Sequence, residues 1–172
     1  MLILTTPTEK YLPSYMEAYK EYAENNITSY SFTDAASCDI FSKFDDYKNE
    51  RNLRPGRVGA DYYWLADDEK AYFIGEIAIR HKLNDTLLRY GGHIGYGVRY
   101  SEWGRGYGTY MLKLALCKAK EMKLSPVLVT CDDDNIASAK VLEKNGFTLK
   151  DKIENRISGQ SIITRRYLKD IL

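Results

Sequence analysis

Between Tyr96 and Leu112 the chain reads YGVRYSEWGRGYGTYML: a β-rich run ends in a turn carrying Gly104, Gly106 and Gly108 and passes at once into an amphipathic segment. From Gly106 to about Lys123 the apolar positions Leu112, Ala115, Leu116, Ala119 and Met122 recur at helical spacing, while Lys113, Lys118, Lys120 and Lys123 fall outward. The segment is therefore a helix laid on a sheet. With VLVTC at 127–131 beyond it, strand, turn, helix and strand form a βαβ unit. The turn lies where a helix N-terminus presents unpaired N–H groups and the positive end of its dipole, a ready site for an anion. A backbone this bare lets a pyrophosphate rest against the main chain, with Arg105 adding charge. On another reading the glycines serve only a tight turn and close packing of helix on sheet. A dinucleotide fingerprint needs GxGxxG and a later acidic residue at a strand end, and a nucleoside-triphosphate loop needs a lysine before the threonine; neither is here.

The flanking elements follow from periodicity and punctuation. A short strand at Leu2–Thr5 precedes Pro7 and Pro13, and Pro13 suits the first turn of a helix on which Tyr11, Tyr15, Tyr19 and Tyr22 share one face. That face either packs on the core or lends hydroxyls to the rim of a substrate pocket. A second helix after Thr33 and Asp34 buries Ile40, Phe41, Phe44 and Tyr47 and ends before Pro55-Gly56. The stretch DYYWLADDEKAYFIGEIAIRH breaks at Asp67-Asp68-Glu69-Lys70 into a hairpin. GGHIGYGV is the next strand, in which Gly95 and Gly97 mark a bulge or a close approach to the backbone. Asn135 opens a short helix that Asn145-Gly146 stops, and two closing strands, roughly Thr148 to Ile157 and Ser161 to Tyr167, turn at Ser158-Gly159. One α/β (α+β) domain over residues 1–172 is expected.

Composition narrows the function classes. At 44% hydrophobic and 28% charged residues the balance is that of a soluble globular protein, and no stretch approaches the roughly 18 apolar residues of a membrane span. Met1 to Lys10 carries no basic n-region or cleavage site, so a cytoplasmic address is expected. A formal charge of +1 offers no field for nucleic acid or an anionic membrane, and any anion site must be local. Cys38, Cys117 and Cys131 fit neither a disulfide framework nor a zinc site; they read as reduced core residues, and no metal is expected.

WGRGYGT at 103–109, followed by DNIASAKVLEKNGF at 134–147, resembles the GNAT family of N-acetyltransferases, whose [Q/R]xxGx[G/A] signature opens a long helix. GGHIGYGVR, TCDDDNIAS and EKNGF look like one bacterial subgroup of it, and the resemblance runs from about Tyr72 to Tyr167. It implies a mixed, mostly antiparallel sheet of about six or seven strands, splayed at an acetyl-CoA cleft and flanked by about four helices. It also implies that Tyr96, Gly97 and Val98 offer backbone groups to the pantetheine arm. Trp103, Gly104, Arg105, Gly106, Tyr107, Gly108 and Thr109 would then surround the pyrophosphate, and Asn135 and Ser138 would meet the cofactor at the next helix. Asn135 serves equally well as a plain helix N-cap. Trp103 stands where the signature has Gln or Arg, leaving only its backbone N–H for the cofactor. Leu142 stands where many members carry a tyrosine thought to protonate the departing thiolate.

The implied activity is acetyl transfer from acetyl-CoA to an amine. A primary amine of pKa about 10.4 is neutral about once in 10³ at pH 7, a penalty of roughly 4 to 5 kcal/mol, so deprotonation is the main task. Glu76, a carboxylate in the apolar run YFIGEIAIR, and His93, which opens the neighbouring strand, are the candidate bases. The alternatives are an ion pair of Glu76 with Arg80 or Arg89, and a satisfied strand-end histidine. Arg156, Arg165 and Arg166 either attract a carboxylated acceptor or solvate an edge strand. A homodimer paired through the C-terminal strands suits such a fold. A catalytically silent acyl-CoA-binding module is the alternative to an enzyme.

Overall fold

Two antiparallel sheets meet along one edge in the structure, a computed structural model that describes residues 1–172. The first runs in the order β1 (Leu2–Thr5), β2 (Ala60–Asp67), β3 (Tyr72–Arg80), β4 (Ile94–Val98). The second runs β5 (Val127–Asp132), β7 (Gln160–Lys169), β6 (Thr148–Ile157). Helices α1 (Leu12–Glu24) and α2 (Ile40–Lys48) lie over one face of the first sheet. Helix α4 (Tyr107–Glu121) covers the other face, α5 (Ile136–Lys144) packs against α4 and β5, and α3 (Asp85–Arg89) is a single turn leading into β4. No helix is long and apolar enough to cross a membrane.

The strand β3 reads as a nearly continuous apolar run because it is covered on both faces, and seven of its residues are buried in succession. On one face Leu65, Ile77, Met111, Leu112, Val129 and Leu142 belong to a core shared by the two sheets, α4 and α5. On the other, Tyr15, Tyr22, Phe32, Phe44, Trp64 and Phe73 form an aromatic core under α1 and α2. Tyr15 stacks on Trp64 with ring centroids 4.6 Å apart, a contact worth about 1 kcal/mol beyond the area it buries. The tyrosine stripe of α1 is thus core at Tyr11, Tyr15 and Tyr22.

The expected splaying is there: β4 and β5 do not pair along their length, so the strands divide into two antiparallel sheets. Other expectations change. Gly95 and Gly97 carry no bulge, since β4 runs in unbroken register with β3; the register shifts fall at Leu65/Ala66 and Leu149/Asp151. Helix α3 has too few residues for helical periodicity to register, and its signal is the Asn84 side chain, which accepts the Leu87 N–H at 2.9 Å. Cys131 is buried as a core residue, whereas Cys38 and Cys117 are exposed. Strand β7 is the centre of its sheet, so Arg165 and Arg166 do not sit on an edge strand.

Candidate active site

The facing edges of the sheets are pinned at one end. Just before β4 begins, Gly92 bridges Val129, the His93 N–H donates to the Leu128 carbonyl at 2.7 Å, and the Gly91 N–H donates to Thr130 Oγ1 at 2.8 Å. His93 completes the pin, its Nδ1 accepting the Leu128 N–H at 3.0 Å where a strand carbonyl would ordinarily do so. From Ile94 onward no backbone hydrogen bond links β4 to β5, and the sheets part into a cleft. A Cβ on Gly92, at φ +62°, would lie 2.4 Å from the Leu128 carbonyl oxygen. Gly92→Ala is accordingly expected to cost about 2 kcal/mol and lower the thermal midpoint by several degrees. An unchanged midpoint contradicts the pin.

At the cleft's side the chain enters α4 through Gly104 at φ +78° and Gly106 at φ +83°, and an added Cβ at either would meet nothing within 4 Å. Both glycines are there for conformation, with open space above them. Gly108 differs, since its Cβ would touch Val141 at 3.4 Å and Val98 at 3.7 Å, so close packing of α4 is its role. None of the N–H groups of Gly104, Arg105, Gly106, Tyr107, Gly108 and Thr109 donates to a protein acceptor. The Trp103 N–H, expected to join them, is spent on the Tyr100 carbonyl at 3.1 Å. Arg105 is 62% exposed and lies 3.3 Å from the Glu102 carboxylate, which offsets part of its charge.

The Arg80 N–H donates to the His93 carbonyl and the Arg99 N–H to the Ile74 carbonyl, each at 2.7 Å. By the alternation of an antiparallel ladder, Gly95 and Gly97 turn their backbone groups into β3, and Tyr96 and Val98 turn theirs toward the cleft. Gly97 therefore leaves the expected pantetheine set, its groups being used within the sheet. The Val98 carbonyl is also spent: it accepts the Tyr22 hydroxyl at 2.7 Å and the Trp103 indole N–H at 2.8 Å. The groups left to face the cleft are the Val98 N–H and both backbone groups of Tyr96.

The two candidate bases separate. Glu76 pairs with Gly97 in register and is 1% exposed; its Oε2 accepts the Trp64 indole N–H and its Oε1 the Tyr30 hydroxyl, both at 2.8 Å. Burial pushes its pKa up to about 7, against the smaller pull of the two donors. Neither Arg80 nor Arg89 pairs with it: Arg80 binds the Gly91 and Gly92 carbonyls, and Arg89 binds Asn155 and the Glu154 carbonyl. The Tyr30 side chain packs against β4, where a Cβ on Gly97 would come within 2.6 Å of its ring. That ring is the close approach the strand glycines permit. His93 is held neutral by burial and by the Arg80 charge, and its one acceptor nitrogen is occupied by Leu128. This removes His93 from the bases and makes it structural.

Asn135 does cap α5, its Oδ1 accepting the Ser138 N–H at 3.1 Å. Ser138 Oγ lies 2.8 Å from the Tyr96 hydroxyl, so a pair of hydroxyls spans the cleft between β4 and α5. Leu142 is fully buried in the core and supplies no acid. Arg165 and Arg166 are committed to Asp133 and Asp151. Tyr22, placed by its spacing on the tyrosine face of α1, both packs in the core and brings its hydroxyl to the Val98 carbonyl. Tyr30 and the Tyr96 hydroxyl were not singled out by their local pattern; the one hint was the bare backbone of Gly97, which asks for a partner.

The profile of the acetyltransferase (GNAT) domain family matches residues 1–148. No curated protein matches the sequence. Among solved structures, the microcin C7 self-immunity acetyltransferase, described in complex with acetyl-CoA and AMP, superposes with a TM-score of 0.74 at 18% identity, covering 99% of this chain and 92% of that one. A ribosomal L7/L12 α-N-protein acetyltransferase, described in complex with coenzyme A, gives 0.72 at 18% identity over 99% and 94%. The ribosomal-protein-S5-alanine acetyltransferase from Vibrio fischeri gives 0.72 at 16% over 98% and 92%. At these identities the likeness is one of fold.

Proposed function

The chain belongs to the GNAT acetyltransferase family, and we propose that it moves an acetyl group from acetyl-CoA directly to a primary amine. The observation that carries this reading is the run of unpartnered amides from Gly104 to Thr109 beside the unpaired edge of β4. Six donors at a helix N-terminus, above two glycines with open space around them, suit a diphosphate. The Tyr96 backbone groups suit the amides of a pantetheine arm lying in the gap as a strand would. The acetyl-CoA and coenzyme A in the complexes of the two structural relatives support the same co-substrate here.

Bound in this way, acetyl-CoA supplies an electrophilic thioester carbon. The Val98 N–H, directed into the cleft, donates to the carbonyl oxygen as it gains charge. Holding the amine against β4 turns an encounter into a local event. Glu76 is the proton sink, and the way to it runs through Tyr30: the amine proton passes to the Tyr30 oxygen as the Tyr30 proton moves to Glu76 Oε1. A carboxyl with a pKa of about 7 is matched to this work near neutrality. With leucine at 142 the thiolate leaves unaided, which a thiol of pKa about 8.5 tolerates.

The silent acyl-CoA-binding module keeps one argument of its own, that His93 is spent and no acid stands at Leu142. Free-thiol release from acetyl-CoA across a panel of amines separates the two. The transferase releases thiol only when an amine is present, and Glu76→Gln slows that release by about 100-fold with coenzyme A affinity retained. Coenzyme A binding without release under any amine supports the module and sinks the enzyme.

A further inference from the structure

The residue that follows β4 directly, Arg99, is 6% exposed, and its guanidinium spends all three nitrogens on α1. Nε donates to Glu21 at 2.6 Å, Nη1 to the Ser14 hydroxyl at 3.0 Å and Nη2 to Glu17 at 3.0 Å. The planar group also lies 4.5 Å from the centroid of the Tyr72 ring. The network continues into the approach to the phosphate turn. Glu21 accepts the Ser101 N–H at 3.0 Å and the Ser101 hydroxyl at 3.1 Å, so one carboxylate grips both ends of residues 99–101. The Tyr72 hydroxyl donates to Glu102 at 3.0 Å, and Glu102 lies 3.3 Å from Arg105, inside the turn. Two further bonds converge from the same sides: Tyr22 of α1 and Trp103 of the turn donate to one acceptor, the Val98 carbonyl.

We infer that Arg99 is the positioning residue for the phosphate-binding turn, fastening it to α1 so that the six free amides of residues 104–109 stay convergent and the helix and the turn move as one body. This rests on the reading of the turn as a coenzyme A site. The other ties of the approach, from Ser101 to Glu21, from Glu102 to Tyr72 and from the Trp103 indole to Val98, surround the same arginine, and the amides from Gly104 to Thr109 bond to nothing in the protein. Arginine rather than lysine is demanded, because three acceptors in different directions require a rigid fork, whereas an ammonium satisfies them only by displacing its stem. Reciprocity follows: whatever seats on the turn also biases α1, and a ligand that orders α1 tightens the hold on the diphosphate.

The test is a titration followed by amide NMR, with coenzyme A and, separately, with pantetheine, which lacks the diphosphate, for wild type, Arg99→Gln, Arg99→Lys and Tyr72→Phe. Arg99→Gln should weaken coenzyme A by about 10-fold or more and leave pantetheine unchanged. Arg99→Lys should recover part of the loss, and Tyr72→Phe, which keeps the ring and removes only the bond to Glu102, should show a smaller loss of the same selectivity. Equal coenzyme A binding in all four proteins overturns the inference, and so does a loss shared equally by both ligands, which marks a general structural role. Should Arg99→Gln fail to fold, Arg99→Lys and Tyr72→Phe decide by the same selectivity. A wild type that binds no coenzyme A overturns the proposed function itself, a result distinct from an unselective variant of a protein that binds.

Discussion

Replacing Gly106 by valine is expected to weaken coenzyme A binding by about 100-fold or more while the protein stays folded. Gly106 sits at φ +83° as the residue before α4, a conformation in which a β-branched side chain is a genuine outlier. An added Cβ meets nothing within 4 Å, so no clash disturbs the core; the strain of about 1 to 2 kcal/mol is relieved by rotating the turn itself. That rotation turns neighbouring amides away from their common focus. Loss of two hydrogen bonds to a charged acceptor, at about 1.5 kcal/mol each, amounts to about 3 kcal/mol, or somewhat over 100-fold. Calorimetric titration with coenzyme A, paired with a thermal melt, reads both parts. Wild-type affinity in a folded Gly106→Val protein contradicts the role given to the turn.

The second large effect is on stability. Glu76 titrates near 4.5 in the unfolded chain and about 7 when folded, because burial disfavours its charge. The folded protein thus holds a proton that the unfolded chain has already lost. Its contribution to stability is full below the unfolded value, declines as pH rises from about 4.5 to about 7, and is level above that. A displacement of that size corresponds to about 3 kcal/mol. Glu76→Gln cannot ionise and keeps an amide that can meet Trp64 and Tyr30, so its stability lacks this decline. His93, whose pKa is lowered chiefly by burial, acts in the opposite sense in part of the same window. Its effect cancels in the difference between the two proteins. Urea unfolding at pH 5 and pH 7.5 should show wild type losing about 2 to 3 kcal/mol relative to the variant. Parallel curves would mean that Glu76 is already ionised in the fold.

What the sequence made legible was local in the chain. The spacing of Leu112, Ala115 and Ala119 announces α4, Gly106 its entry and Asn145-Gly146 the end of α5, since each signal lies within a few residues of its consequence. The hairpin at Asp67 to Lys70 is of the same kind. What stayed hidden depends on partners far away. Tyr30 reaches Glu76 across 46 positions, and His93 takes the Leu128 amide across 35. The ties from Arg99 to α1 span 78 to 85 positions. A histidine at a strand end reads alike whether it accepts a substrate proton or a backbone one, and only the fold tells which. The same holds for Gly95 and Gly97, whose bareness was visible while the ring that fills it was not. The division into two sheets has no local sign, because a cleft is an absence of pairing between strands that each look ordinary.

The central claim is that the amides of residues 104–109 receive the diphosphate of coenzyme A. A ¹H–¹⁵N titration of the protein with coenzyme A tests it residue by residue. The account predicts saturable binding in which the amide protons of Gly104 to Thr109 move downfield more than those elsewhere, as new charged acceptors reach them, with pantetheine failing to reproduce those shifts. Saturable binding that leaves these six resonances in place, or no binding at all, would contradict it.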